Sequence, residues 1–207
     1  MKKIQAPKIP FHLLPPAPLT DEESYQGCAF TTDLLGDYHN LDIKFSSFSK
    51  LDWANSQQTQ LQLSDVVLEN VNLANSEWLG ASLARVIFKN CRLTGFNLSE
   101  SYLTDVQFID CQLDYASFSY GKLNYVAFLT CNLTEADFFD VAWQKLSFET
   151  CQLERSNFLE TSLTGLDFST ATFSSLNFTA AKSRGLIISP LQALTIVQLL
   201  GFQLKED

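Results

Sequence analysis

The chain has 207 residues, 46% of them hydrophobic, and its 23 acidic and 14 basic side chains leave a net charge of −9. That length supports one domain with a sizeable core, and no apolar run approaches the roughly 20 residues of a membrane-spanning helix. The acid excess argues against passive attraction to nucleic acid or an anionic membrane and favours a basic protein surface as partner.

Residues 1–37 are predicted to be an irregular, proline-rich segment. Five of the six prolines fall in the first 18 residues, so this stretch should be extended and should lie along the first part of the repeat or cap it. Pro7, Pro10, Pro15 and Pro16 also interrupt its only apolar run, which makes a poor signal peptide. A cytoplasmic location is therefore expected, with the five cysteines reduced.

Residues 38–188 carry a five-residue period. From Leu63 to Phe178, 24 consecutive positions spaced by five are all Leu, Phe or Trp, Trp143 among them. Ile43, Phe48 and Trp53 keep the same phase upstream, and Gln58 is the one exception. A second series, two residues earlier, is small or β-branched, as at Ser76, Ala81, Val86, Cys91 and Gly121. Five matches neither the 3.6 of a helix nor the 2 of a flat strand. It fits a chain that turns one large and one small side chain inward and then rounds a corner. Cys91, Cys111, Cys131 and Cys151 recur every 20 residues, as do Phe88, Phe108, Phe128, Phe148 and Phe168. Twenty residues thus close one four-sided coil, and the predicted fold is an all-β solenoid. At about 4.8 Å per coil the repeat makes a rod roughly 33 Å long. No insertion breaks the register from Leu63 to Phe178, so no projecting loop is expected.

Residues 189–207 are predicted to end the rod with an α-helix and a short tail. Ser189-Pro190-Leu191-Gln192 reads as a capping box with proline at the first helical position, and Gly201 as the C-terminal stop. Apolar residues lie nearly all round this helix, and such a helix should be buried. A symmetric homodimer through Leu191, Leu194, Val197, Leu200 and Phe202 would bury it. A monomer whose helix simply covers the last coil is the alternative.

Catalytic or metal chemistry finds no foothold in the sequence. The four in-phase cysteines sit one coil apart in line, which suits core packing better than a tetrahedral metal site. His12 and His39 both lie near the irregular start, and no phosphate-binding glycine loop is present. No enzyme activity, cofactor or metal is expected. The acidic residues are more informative. Between Leu93 and Ala180 there are 11 acids and 3 bases, a net −8. Spread over roughly 21 Å of rod, that is about one net charge per 2.6 Å, comparable with about 1.7 Å in duplex DNA. Glu100, Asp105, Asp110, Asp114, Glu135, Asp140 and Glu160 are the candidate docking residues. Glu100, Asp140 and Glu160 share one corner and Asp105 takes the next. Composition leaves two readings open, an ordinary solvated surface and an acidic docking surface.

The five-residue pattern resembles that of the pentapeptide-repeat family, which implies a right-handed quadrilateral β-helix. Within that family the chain resembles the quinolone-resistance (Qnr) group, in its loop-poor Gram-positive chromosomal form. The resembling stretches are Cys91 to Phe118, Phe138 to Ser169 and the tail SPLQALTIVQLLGFQL. The resemblance implies a homodimer joined at its C-terminal helices and a rod similar to B-DNA in width, shape and charge. It also implies binding to DNA gyrase and topoisomerase IV, with protection of these enzymes from fluoroquinolones. Enterobacterial members carry projecting loops linked to protection, and this register has none. Two other roles fit the same fold: a scaffold for another protein partner, and a self-immunity factor against a gyrase-targeting toxin. Direct binding to nucleic acid or membrane is not expected.

Overall fold

The structure is a computed structural model that describes residues 3–203. Its strands are β1 (Ser24–Gln26), β2 (Ala29–Phe30), β3 (Tyr38–His39), β4 (Asp42–Ser49), β5 (Gln58–Thr59) and β6 (Gln62–Glu69). They continue with β7 (Ser82–Lys89), β8 (Tyr102–Ile109), β9 (Lys122–Leu129), β10 (Ala142–Glu149), β11 (Ser156–Phe158) and β12 (Leu176–Phe178). One α-helix closes the order, α1 (Pro190–Leu199). The strands pair in parallel, and from β4 to β10 each residue faces the one 20 positions on, as Leu63 faces Leu83 and Phe108 faces Phe128. Single bridges with the same 20-residue step line two further sides, for example Asn72 with Arg92 and Glu77 with Asn97. The result is the four-sided parallel coil that the period predicts, with the right-handed β-helical form that the resemblance implies.

The corners explain why the period is five. Every fifth residue from Asn40 to Gly165 has a positive φ. Two corners of each coil close as hydrogen-bonded turns: Ser76 N–H donates to Leu73 O, and Ala81 N–H to Trp78 O. The positive-φ residue sits third in each turn, where glycine or asparagine is least strained. Asn75, Gly80 and Gly95 match that preference, whereas Glu100, Tyr115 and Tyr120 hold the same slot at a cost.

Between corners the inward residues stack like on like. Phe88, Phe108, Phe128 and Phe148 form one ladder, with ring centroids 4.7, 4.9 and 5.1 Å apart and planes within 8°. Phe118, Phe138 and Phe158 form a second ladder at 5.0 and 4.9 Å. The two ladders meet edge to face at 5.3–5.7 Å, the arrangement the ring quadrupole favours. The small inward slots hold donors. Cys91, Cys111, Cys131 and Cys151 point their thiols at Leu68, Phe88, Phe108 and Phe128 carbonyls at 3.4–3.5 Å. Ser76, Ser101 and Ser156 donate in the same way to Trp53, Trp78 and Leu133 carbonyls. Cysteine and serine therefore play one packing role here. The cysteines are free and buried.

Several positions differ from the sequence expectation. The rod begins earlier than Tyr38, because β1 and β2 already pair onto β4, with Tyr25 facing Ile43 and Phe30 facing Phe48. That first step is 18 residues rather than 20, which puts Tyr25 and Phe30 out of phase with the rest. Gln58 is buried rather than idle. Its carbonyl accepts Tyr38 N–H at 3.1 Å and its amide donates to Gly36 O at 3.3 Å. Trp143 is only half-buried, with its indole N–H donating to Ser162 O at 2.7 Å. Trp53 and Trp78 are fully buried, and their indole N–H groups have no partner among the described residues. Phe173 and Phe178 are also half-buried, where the coils give way to the end cap.

At the C-terminal end the capping box is formed as predicted. Ser189 Oγ accepts Gln192 N–H, and Gln192 Oε1 accepts Ser189 N–H at 2.8 Å. Gln192 is the one buried residue of α1. Its amide nitrogen donates to Phe168 O and Ala171 O at 2.8 and 2.7 Å, which caps carbonyls of the last coil. Gly201 stops the helix with φ +85°. The tail beyond Gln203 lies outside the described residues.

Candidate protein-docking surface

Residues on the corners and on the outward slots beside them make up the rod's surface. The predicted acids do not converge on one face. Glu100, Asp140 and Glu160 share a corner at multiples of 20 residues and are all exposed. Glu100 and Asp140 make no ion pair among the described residues, whereas Glu160 meets Lys182 Nζ at 2.9 Å. That ammonium holds the Glu160 carboxyl below its usual range. Asp110 is exposed on another corner. Glu135, on a further corner, pairs with Arg155. Asp114, beside that corner, is half-buried and accepts Thr94 Oγ1–H at 3.1 Å.

Asp105 corrects the expected docking face. It is buried, and its carboxylate accepts the backbone N–H of Gln5 at 3.0 Å. Two coils earlier on the same corner, buried Asp65 accepts Lys8 N–H at 3.0 Å. The residues near the N-terminus thus run as an extended strap along this corner. Two coils are about 9.6 Å of rod, the span of about three extended residues. The donors Gln5, Lys8 and Leu14 alternate with prolines, which have no N–H to give. Arg85, between the two aspartates, clamps Asp65 with two bonds of 2.8 and 2.6 Å. Its guanidinium holds the Asp65 carboxyl well below the usual range.

The sequence reading missed an aromatic rim beside the Glu100 corner. Tyr120 stands on the corner itself, 57% exposed, with its ring 5.4 Å from Phe139. Tyr102 is 53% exposed, and Lys122 Nζ lies 5.0 Å above its ring. Leu159 stands one coil on from Phe139 and is partly exposed. It borders a depression shared with Phe178, Leu199 and Leu200. A signal was present in the sequence: Tyr115, Tyr120 and Tyr125 occupy three successive corner slots.

The residues assigned to the dimer seam are mostly outward. Leu191 is 85% exposed, Leu194, Leu200 and Phe202 are exposed, and Val197 is half-buried. Among the described residues, no three His, Cys, Asp or Glu side chains are grouped as a metal site would need. Among the same residues, no helix is long and apolar enough to cross a membrane.

Comparison with known proteins agrees with this architecture. The family profile described as pentapeptide repeat region matches residues 81–158, and pentapeptide repeats (8 copies) matches residues 62–99. HetL, a pentapeptide repeat protein involved in heterocyst differentiation regulation from the cyanobacterium Nostoc sp. strain PCC 7120, is similar in fold. It shows 18% identity and a TM-score of 0.50, covering 83% of this chain and 87% of that one. Trypsin-treated QnrB1, a plasmid-mediated fluoroquinolone resistance protein, matches at 14% identity and a TM-score of 0.37, over 88% and 100% of the two chains. No curated protein sequence matches. The matched profiles, the unbroken five-residue register and the coil-on-coil parallel pairing show that residues 62–158 have the pentapeptide-repeat architecture.

Proposed function

We propose that this rod is a DNA mimic that binds DNA gyrase or topoisomerase IV and protects it from fluoroquinolones. The observation that carries the reading is the net −8 between Leu93 and Ala180 of a loop-free rod, whose acids other than the buried Asp105 reach its surface. Glu100 and Asp140, which make no ion pair among the described residues, contribute most directly. The protein acts by occupying a basic, DNA-binding surface in the cytoplasm and catalyses nothing. Resemblance of Cys91 to Phe118 and Phe138 to Ser169 to the quinolone-resistance group supports the choice of partner. The exposed leucines of α1 join two copies in this reading, and the two-fold symmetry matches that of the topoisomerase. Val197→Asp then gives a monomer by light scattering, and a surviving dimer would remove the seam.

Charge reversal tests the acidic corner. Glu100→Lys combined with Asp140→Lys should weaken gyrase binding at least tenfold and flatten its dependence on salt. Unchanged affinity and salt slope would reject the acidic corner as the contact. A scaffold for another partner would then be the better reading of the same rod.

A further inference from the structure

We infer that the aromatic rim formed by Tyr102, Tyr120, Phe139 and Leu159 is a docking edge for an arginine- or lysine-bearing protein segment. The inference deepens the topoisomerase reading and rests on it for the identity of the natural partner. Three observations lead to it. First, Tyr120 occupies a left-handed corner slot, φ +58°, third in the turn that Gly121 N–H closes on Phe118 O. The corresponding corner holds Asn40, Gly80 and Asp140, which adopt this conformation more cheaply, and the polar Gln60, Glu100 and Glu160, so Tyr120 is the one ring in the column from Asn40 to Glu160. A bulky ring in a strained slot, and exposed, points to a use outside the fold. Second, the rim lies beside Glu100 and Asp140, so rings and carboxylates face the same solvent. That combination suits a cation, which gains from both the ring quadrupole and the charge. Third, the edge already holds one ammonium, that of Lys122 over Tyr102.

Lys122 therefore competes with an incoming cation, and the edge makes predictions of opposite sign. The probes are purified DNA gyrase and a synthetic dodecapeptide of alternating arginine and glycine, with binding measured at low salt. Tyr120→Asn keeps a preferred corner residue, so the circular-dichroism melt should stay within a few degrees of wild type while affinity falls about tenfold. Lys122→Ala should bind about threefold more tightly, a gain that misfolding cannot produce. Loss with the first variant and gain with the second, on either probe, supports the edge. Equal affinity of wild type and both variants for each probe that binds overturns it, as does the failure of both probes to bind. Peptide binding at the edge without gyrase binding removes the topoisomerase reading and leaves the edge standing.

Discussion

Replacing Phe128 with alanine should cost about 3–5 kcal/mol of stability. The ring is fully buried between Phe108 and Phe148, stacked at 4.9 and 5.1 Å, and is flanked edge-on by Phe118 and Phe138. No side chain from another column can fill the gap, because each coil is fixed to its neighbours by backbone bonds on every side. The loss therefore combines the transfer of a phenyl ring with a cavity that stays open. In a stacked repeat each coil meets only its neighbours, so the cut also weakens coupling between the halves of the rod. Urea unfolding should show an earlier midpoint and a shallower slope. The outward Tyr102→Ala, by contrast, should cost about 0.5 kcal/mol or less. A loss below about 1 kcal/mol for Phe128→Ala would mean that the phenyl ladders do not govern stability.

The second large effect lies under the strap. Arg85→Ala should cost about 2–3 kcal/mol, since it leaves the buried Asp65 carboxylate with the Lys8 N–H in place of a two-bond clamp. The lower figure reflects the guanidinium, whose side chain is 30% exposed and partly screened. The strap should loosen with the clamp, and trypsin should then cut after Lys8 while the rod stays whole. Acid should act similarly in the wild type. Bonding to Arg85 depresses the folded carboxyl below its unfolded value of about 3.9. Its contribution is therefore full above that value and is lost as pH falls through the depressed folded value. Hydrogen exchange at Lys8 should rise in that acid window before the coils open. Equal protection in Arg85→Ala and wild type would show that the strap is held elsewhere.

These expectations also mark what the sequence could reveal. The inward series, the 20-residue coil and the Ser189–Gln192 capping box are local or strictly periodic, so each was legible. The first coil was not, because Tyr25 and Phe30 pair across 18 residues and break the phase. Asp105 sits on a corner that periodicity marks as outward, yet it is buried by Gln5, 100 residues away. Nothing near Asp105 in the chain encodes that contact. The acids also spread over several corners, since Glu100, Asp105 and Asp110, each five residues from the next, stand on successive corners of a coil. Tyr120 was legible in principle, because its place among the corner residues was visible and only its exposure was not.

The most direct test of the proposed role is supercoiling by DNA gyrase in the presence of ciprofloxacin, with the wild-type rod and its Glu100→Lys/Asp140→Lys form titrated in parallel. The account predicts that wild type restores supercoiling at low concentration and inhibits it at higher concentration, as a competitor for the DNA site should, while the reversed form does neither. No effect of wild type on gyrase or topoisomerase IV at any concentration would contradict the account.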